Sequence, residues 1–426
     1  MKVYNNPEKE IRSQLLLRLA FDQSQLQPKV SMILDDVKLN GDDAVTKYTA
    51  EFDGVLSDDF IVSEKEISEA IANVEADLKD AIDLAKANIT AFHKAQVEEI
   101  KQVETTPGVI CSRRSVAIEK VGLYIPGGTA PLFSTLLMLG IPAVLAGCRN
   151  IIICTPPEKN NTINPVILYV AQLIGIKNIY KIGGVQAIAA MSYGTQTISK
   201  VNKIFGPGNQ YVTCAKQLVN AQGIAIDMPA GPSEVAVYAD ETCNPAFVAA
   251  DLLSQAEHGA DSHLLLVASS ASIVEKVESE IEKQLPELPR KEIALQALEN
   301  SVAIVLEDIA EAFSLINEYA PEHLIIATDH AEDLASSVVN AGSVFLGHYS
   351  PESAGDYASG TNHTLPTNGY AKAYSGVSVD SFVKKITFQQ ISKEGLQNIG
   401  PAVELMAAAE GLDAHKNAIT IRLNAI

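Results

Sequence analysis

Gln255 and His258 are the residues of this chain whose types and spacing most directly suggest chemistry. They lie in residues 254–259, which close an apolar helical pattern that begins near Phe247. Side chains three residues apart share one helix face, so an amide oxygen and an imidazole would stand together there. Such a pair can bind a divalent metal ion, which the negative end of the helix dipole favours. The alternative interpretation is a histidine that only caps the helix.

Later segments offer the carboxylates and imidazoles that would complete a metal site. A polar, glycine-rich stretch contains Glu352, Asp356 and His363, and the tail adds Glu410 and His415. Nothing in the chain has the close ligand spacing of a zinc finger or of an HExxH motif. Spacing alone therefore does not choose among these donors.

Glu322 and His323 form a second constellation, directly ahead of a strand-like run at 324–327. Histidine titrates near neutrality, with an ordinary pKa of about 6.5, and suits taking a proton from an alcohol. The neighbouring glutamate suits the activation of water. The alternative is that the dipeptide only begins a strand.

The candidate metal ligands and the Glu322–His323 pair must be positioned by the surrounding secondary structure. The chain contains two series of short apolar runs, and each run is followed by loop residues and usually by a helical pattern. This alternation predicts βαβ units and parallel sheets covered on both faces. The junction between the two series falls at 229–233. The predicted strands are 121–126, 151–154, 179–182, 203–205 and 225–228 in the first series, and 234–238, 263–267, 302–306, 323–327 and 343–346 in the second.

Glycine-rich turns follow three strands of the first series, at 124–129, 183–186 and 206–209. Open α/β sheets bind ligands beyond the carboxyl ends of their strands, and glycine allows backbone N–H groups to approach a phosphate. None of the turns is a complete GxGxxG motif. Together they favour a nucleotide lying across this edge, although each alone is typical of an ordinary βα turn.

Composition and charge argue against a nucleic-acid-binding protein, a secreted protein and a membrane protein. The 426 residues carry a formal net charge of −20 without a Lys/Arg cluster, which argues against a nucleic-acid partner. The five cysteines show no CxxC pair, and the first residues lack the apolar run of a signal peptide. The most apolar segment, 131–147, is short for a membrane span. We expect a cytoplasmic protein with no membrane partner.

Six motifs together resemble the histidinol dehydrogenases of histidine biosynthesis. They span most of the chain and lie at 121–134, 203–209, 227–235, 251–259, 319–324 and 360–367. The resemblance implies a zinc-dependent oxidation of L-histidinol to L-histidine through L-histidinal, with two NAD molecules reduced. It also implies a homodimer whose active sites are shared.

The resemblance further implies a role for individual residues. Glu322 and His323 would be the acid/base pair, His323 taking protons and Glu322 activating the water that hydrates the aldehyde. The implied zinc ligands are Gln255, His258, Asp356 and His415. The implied NAD contacts are Tyr124, Gln186 and Asn209. The implied substrate contacts are Ser233, Glu410 and His363, besides His323 and the zinc ligands.

The expected fold is α/β, with two Rossmann-like parallel-sheet domains, a helical N-terminal region and a short C-terminal tail. We expect a helical arm at 1–20, a catalytic and zinc-binding domain formed by 21–122 and 234–370, and an inserted NAD-binding domain at 123–233. The tail at 371–426 is too short for a domain of its own and must pack on the parent body or on a partner. The resemblance implies that it crosses to the partner subunit, where Glu410 and His415 would complete the site.

Two other functions fit parts of the sequence. A thiol-dependent aldehyde dehydrogenase would use Cys148 or Cys154, which lie near βα junctions, as the nucleophile. No cysteine lies inside the active-site motifs, which argues against this class. A two-lobed binding protein without catalysis would also contain two α/β units. The Glu322–His323 pair argues against that class.

Overall fold

The computed structural model describes residues 1–18, 23–57, 59–127, 132–229 and 231–426. The strands are β1 (Lys2–Asn5), β2 (Lys101–Thr106), β3 (Val109–Ala117), β4 (Lys120–Tyr124), β5 (Asn150–Thr155), β6 (Asn178–Lys181), β7 (Lys203–Phe205), β8 (Ala225–Ile226), β9 (Glu234–Ala239), β10 (His263–Ala268), β11 (Val302–Val305), β12 (His323–Ala327), β13 (Ser343–Leu346) and β14 (Val383–Ile391). The helices are α1 (Lys9–Leu15), α2 (Gln23–Asn40), α3 (Asp42–Phe52), α4 (Glu64–Ala72), α5 (Ala76–Lys94), α6 (Phe133–Ala146), α7 (Pro165–Leu173), α8 (Gly184–Tyr193), α9 (Gln210–Ala221), α10 (Pro245–Ala256), α11 (Ala271–Gln284), α12 (Lys291–Glu299), α13 (Ile309–Tyr319), α14 (Ala331–Ala335), α15 (Glu352–Tyr357), α16 (Lys393–Ala409) and α17 (Asp413–Leu423).

A six-stranded parallel sheet in the order β1-β11-β10-β9-β12-β13 holds the second predicted series of strands. Its central strands β9, β10 and β12 are buried along their whole length. Apolar clusters cover both faces of this sheet, and unbroken apolar runs are the expected sequence of such strands. The edge strand β1 was not predicted, because four residues are too few to show a pattern.

A five-stranded parallel sheet in the order β6-β5-β4-β7-β8 holds the first series. It too has an apolar cluster on each face, built with α6 and α7 on one side and α8 and α9 on the other. The prediction of two parallel α/β units is confirmed. Among the described helices, none combines the length and the apolar composition that crossing a bilayer requires.

Helices α2 to α5 were expected in the catalytic and zinc-binding domain, but they pack against helices of the other α/β unit. Helices α2 and α3 contact α8, while α4 contacts α7 and α5 contacts α6. Val37 and Tyr48 belong to the same buried cluster as Ile188 of α8, a helix that covers one face of the five-stranded sheet. Residues 23–94 thus lie with the unit expected to bind NAD, not with the unit that carries the acid/base pair. An amphipathic pattern predicts a buried face without indicating which sheet will cover it.

The C-terminal segment forms part of a small antiparallel sheet in the order β14-β3-β2. Helix α16 packs on β14 and β2, and α17 packs on α16. Within the tail, residues 384–388 lie in β14, residues 399–409 lie in α16 and residues 419–423 lie in α17. Strands β2 and β3 were missed, because most of their side chains are exposed and show no apolar run.

Candidate active site

Gln255 and His258 lie at the end of α10, whose start is fixed by the side chain of Asn244. The Oδ1 atom of Asn244 accepts a hydrogen bond from the first turn at 3.0 Å, which is a standard helix N-cap. The helix ends at Ala256, so His258 lies in the following turn and not on the predicted last helical turn. The N–H of His258 still donates to the carbonyl oxygen of Gln255 at 3.3 Å, which keeps the two residues adjacent.

Gln255 is completely buried, whereas His258 is exposed. Neither the oxygen nor the nitrogen of the Gln255 amide has a hydrogen-bond partner among the described residues. Burying an amide without partners is costly, and native structures rarely keep such a group without a ligand or an ion. The orphaned amide therefore supports the interpretation of Gln255 as a ligand.

Glu352 and Asp356 lie four residues apart on α15 and so share one face of that helix. Glu352 is completely buried, and neither of its carboxylate oxygens has a hydrogen-bond partner in the described part of the chain. One donor atom from each of Glu352, Asp356 and His258 lies within 4.8 Å of the others. A single cation can bridge such a group with small side-chain movements.

Glu322 and His323 lie at the amino end of β12, where three carboxylates surround one imidazole. Nδ1 of His323 is 3.7 Å from Oε2 of Glu322 and 3.8 Å from Oε1 of Glu352. Its Nε2 is 3.6 Å from Oδ1 of Asp356. Open α/β sheets usually bind ligands at the carboxyl ends of their strands, so this pair lies at the opposite edge.

Burial and mutual charge both shift the pKa values of this cluster. Burial alone would lower the pKa of His323, but the carboxylates of Glu352, Glu322 and Asp356 raise it above its ordinary value. Burial raises the pKa of Glu322 and of Glu352. Several carboxylates thus compete for the positive charge of one imidazole, and a divalent cation would relieve the excess negative charge.

Two further predicted substrate contacts lie beside this cluster. Ser233 directly precedes β9 and is partly buried. The Nδ1–H of His363 donates to the backbone carbonyl oxygen of Asp356 at 2.9 Å, and its Nε2 is 3.2 Å from the hydroxyl of Thr135. Both ring nitrogens of His363 are occupied, so this residue holds the α15 segment in place.

The predicted tail residues are not part of the cluster within one chain. Glu410 and His415 are exposed on the unit formed by α16 and α17. Over the described ranges of a single chain, the group of potential metal ligands contains His258, Glu352 and Asp356 and not His415. The exposed side of the site at His258 is therefore open to a residue from outside the chain.

A cavity of about 1220 Å³ lies at the carboxyl edge of the five-stranded sheet. Tyr124 and Thr155 line it from the ends of β4 and β5, and Gly184 lines it from the start of α8. The Tyr124 hydroxyl accepts a hydrogen bond from the N–H of Gly184 at 3.1 Å. Strand ends and helix N-termini that meet at one cleft are typical of nucleotide sites.

The two other predicted NAD residues relate differently to this cavity. Asn209 lines it, and Oδ1 of Asn209 caps α9 by accepting hydrogen bonds from the next turn at 3.0 and 3.1 Å. Gln186 is buried and reaches the cavity through Asp53, whose carboxylate accepts a hydrogen bond from Nε2 at 3.4 Å. Burial raises the pKa of Asp53 to about 6. Gly128 and Thr129 of the first glycine-rich turn lie outside the described residues.

A buried ion pair that sequence reasoning missed holds the turn ahead of Asn209. Lys216 Nζ lies 2.5 Å from Oδ1 of Asp227 and donates to the carbonyl oxygen of Gly206 at 2.7 Å. The other carboxylate oxygen of Asp227 accepts from the N–H of Gly206 at 2.8 Å. Gly206 has a φ of +124°, and a Cβ atom there would overlap the backbone of Tyr124, so the turn requires glycine.

In the sequence, Glu352 was one of several possible metal donors and was not chosen as a ligand. Its position one helical turn before Asp356 could have indicated that Glu352 shares a helix face with a predicted ligand. Glu234 was not identified as a functional residue. Burial raises the pKa of the Cys148 and Cys154 thiols, which argues against either one as a nucleophile.

The chain is similar to known proteins over its whole length. The family model for histidinol dehydrogenase matches residues 17–423. The histidinol dehydrogenase of Bacteroides thetaiotaomicron is 58% identical over 426 residues, which is 100% of both chains. That of Vibrio parahaemolyticus is 50% identical over 424 residues, 99% of this chain and 97% of the other. The crystal structure of histidinol dehydrogenase from Elizabethkingia anophelis aligns with a TM-score of 0.98 at 56% identity, covering 100% of this chain and 98% of that one.

Proposed function

The chain belongs to the histidinol dehydrogenase family, and from this premise we propose that it oxidises L-histidinol to L-histidine through L-histidinal, with two NAD molecules reduced. The observation that carries the proposal is the cluster in which Glu322 and His323 meet Asp356, Glu352 and His258. It combines an imidazole base, a carboxylate able to activate water and donors for a metal ion.

His323 acts as the base of both oxidations. Its Nδ1–H donates to the backbone carbonyl oxygen of Glu234 at 3.4 Å, so Nε2 carries the lone pair when the ring is neutral. A cation held by Asp356 would offset the carboxylates that raise the pKa of His323 and would so favour the neutral ring. That nitrogen takes the hydroxyl proton of histidinol while the carbon-bound hydrogen leaves as hydride to NAD. The products of this step are the aldehyde and one reduced NAD.

Glu322 prepares the second oxidation. Its carboxylate takes a proton from a water molecule as the water adds to the aldehyde carbon. Protonated His323 returns its proton to the aldehyde oxygen, which gives the hydrate and leaves His323 neutral again. His323 then takes a hydroxyl proton of the hydrate while the second hydride leaves to another NAD. This gives the carboxylic acid of histidine, which releases its remaining acidic proton to water and becomes the carboxylate. Burial raises the pKa of Glu322 and so makes it a stronger base than an exposed glutamate.

Gln255, His258 and Asp356 fit a zinc site, with His415 of the partner subunit as the proposed fourth protein ligand. The fit rests on the orphaned amide of Gln255 and on the grouping of His258 with two carboxylates. A bound zinc ion would supply Lewis acidity and hold the imidazole and amine of histidinol. Glu352, whose carboxylate oxygens have no hydrogen-bond partner among the residues that the structure describes, would lie against the same ion or the substrate amine.

The NAD site is proposed at the cavity of the five-stranded sheet. Tyr124 and Asn209 line that cavity directly, and Gln186 supports Asp53 from behind. Because the cap of α9 occupies the oxygen of Asn209, its amide N–H groups are the part of this side chain available to a ligand. The first turn of α8 presents backbone N–H groups suited to a pyrophosphate.

A homodimer with shared sites gives the C-terminal unit its role. Apolar side chains of this unit are exposed, including Leu405, Met406 and Ile421. Such a surface favours packing against another chain. We propose that the partner's tail brings Glu410 and His415 to the open side of the cluster at His258.

A cytoplasmic location is proposed for the enzyme. All five cysteines are free thiols in the structure, and reduced cysteines are typical of cytosolic proteins.

The direct test follows reduced nicotinamide by absorbance when zinc-loaded protein is mixed with L-histidinol and NAD. We expect two NAD molecules to be reduced per histidinol, with histidine as the product identified by chromatography. The variant His323→Ala should lose on the order of 1000-fold in kcat, within the usual contribution of a general base. The matched control His330→Ala changes an exposed histidine and should retain full activity. No reduction of NAD by the zinc-loaded wild type would refute the proposed function.

A further inference from the structure

Glu234 contacts both members of the acid/base pair through its backbone. Its N–H donates to Oε2 of Glu322 at 3.0 Å, and its carbonyl oxygen accepts from Nδ1 of His323 at 3.4 Å. In a β-strand the N–H and C=O of one residue point to the same side, here toward the start of the neighbouring strand β12. The first residue of β9 thus sets where both functional side chains lie.

The side chain of Glu234 anchors this strand end. Its carboxylate is 1% exposed, accepts a hydrogen bond from the N–H of Asn368 and forms an ion pair with Nε of Arg18. Arg18 is held in turn by Tyr319, since its Nη2 donates to the Tyr319 carbonyl oxygen at 2.7 Å and its guanidinium stacks 3.8 Å from the ring centre. Arg18, a residue of the N-terminal segment, therefore contacts the acid/base pair indirectly, through Glu234.

The buried pair is poorly explained as a source of stability. Removing two charges from water costs about as much as their attraction returns, so such pairs add little net free energy of folding. In some proteins buried polar or ionic groups instead select one geometry, and the planar guanidinium is suited to that role. The geometry selected here is the position of Glu234, on which Glu322 and His323 both depend.

We propose that Glu234 and Arg18 are positioning residues for the Glu322–His323 pair, an inference that rests on the proposed function for its kinetic consequences. Glu234, whose carboxylate is engaged by Arg18 and by the N–H of Asn368, acts through its backbone. It acts by holding its backbone N–H and C=O against the two functional side chains. Arg18 acts by fixing the carboxylate of Glu234. The N-terminal segment is thereby coupled to the chemistry of the six-stranded sheet.

The test compares Arg18→Met with Arg12→Met. Both replace an arginine of the N-terminal segment that pairs with a glutamate, but Arg12 pairs with Glu311, away from the site. We expect Arg18→Met to lower kcat on the order of 100-fold, the effect of misplacing a catalytic group by about 1 Å. The KM for histidinol and the zinc content should stay within about threefold of wild type, because positioning affects the reacting geometry more than ground-state binding. The pH profile of kcat should also shift.

Glu234→Gln serves as a second variant if Arg18→Met folds poorly. It keeps an oxygen for the N–H of Asn368 and removes the charge that Arg18 holds. Equal kcat losses in Arg12→Met and Arg18→Met would overturn the inference, as would folded Arg18→Met and Glu234→Gln variants with wild-type kcat and pH profile. Crystal structures of the two arginine variants decide the same question without turnover. In Arg18→Met alone, Glu322 should move away from the N–H of Glu234. If the wild type fails to oxidise histidinol, the proposed function fails while this structural comparison still tests the positioning.

Discussion

Oε1 of Glu352 lies 3.8 Å from Nδ1 of His323, and neither oxygen of this completely buried carboxylate has a hydrogen-bond partner in the described structure. Native proteins rarely keep such a group unless a ligand or an ion compensates for its desolvation. Glu352 is therefore the member of the cluster whose burial is hardest to explain by folding alone.

Replacing Glu352 by Gln should weaken the binding of zinc. Loss of the buried negative charge next to His258 and Asp356 should lower zinc affinity by roughly 10-fold or more. The melting temperature of the metal-free protein should stay the same or rise, because a costly buried charge is removed. Zinc retained against a competing chelator, together with a thermal melt, measures both. The control Glu332→Gln changes an exposed carboxylate on α14. Unchanged zinc retention and unchanged activity in Glu352→Gln would exclude a role for this residue at the site.

His258→Asn should remove metal and activity together while leaving the fold intact. The side chain of His258 is exposed and contributes little to the core, so the melting temperature of the metal-free protein should change by only a few degrees. The loss of one of the few zinc donors should appear as a substoichiometric zinc content by elemental analysis. A variant that retains both its zinc and its full activity would show that His258 is not a ligand.

Mixing two inactive variants tests whether the tail serves the partner subunit. If sites are shared, a heterodimer of His323→Ala and His415→Ala contains one site with both histidines intact. Random exchange of equal amounts should then restore about a quarter of wild-type activity, because half of the dimers are mixed and each has one working site of two. Subunit exchange is verified with a mass tag on one variant. Verified exchange with no recovered activity would mean that each site is built from one chain.

His263 should make the protein less stable in mild acid. Burial, with a smaller contribution from the charge of Arg18, lowers the pKa of this histidine from 6.5 to about 4 in the folded state. The unfolded chain therefore binds a proton more readily between these values, and stability is lost as pH falls from 6.5 toward 4. Between pH 7 and pH 5 this group alone should cost about 2 kcal/mol of unfolding free energy.

The measurement for His263 is urea unfolding of the wild type and of His263→Gln at both pH values. Glutamine keeps a polar partner for the Tyr319 hydroxyl, which lies 2.8 Å from Nδ1 of His263. The variant should lose less stability on acidification than the wild type. His330→Gln, an exposed control, should behave like the wild type. Equal losses in all three proteins would contradict the prediction.

The alternation of buried strands and helices was readable from the sequence because it is a local property. Residues 264–267 and 324–327 are apolar throughout, and such runs are typical of strands in a parallel sheet that is covered on both faces. Strand β1 and the paired strands β2 and β3 were not predicted from the sequence. Strand β1 is too short to show a period, and the side chains of β2 and β3 are largely exposed.

The candidate site was predictable only in its parts. The residue types at Gln255, His258, Glu322 and His323 already indicated metal binding and acid/base chemistry, because each motif is short and continuous. The sequence did not predict that α10, β12 and α15 lie next to one another. Their proximity depends on contacts between segments up to about a hundred residues apart. The family resemblance, not the spacing, selected Asp356, and the structure adds Glu352 from the same helix face.

The amino-acid pattern alone thus establishes which side chains can do chemistry and which segments form the buried strands, because both depend on neighbours within a few residues. Chain packing decides that the acid/base pair sits at the amino edge of one sheet, that Arg18 and Glu234 stand behind it, and that α2 to α5 cover the other sheet. Those arrangements depend on shape and burial across the whole molecule. A single charged or apolar residue does not specify its distant partner until the folded chain brings the two together.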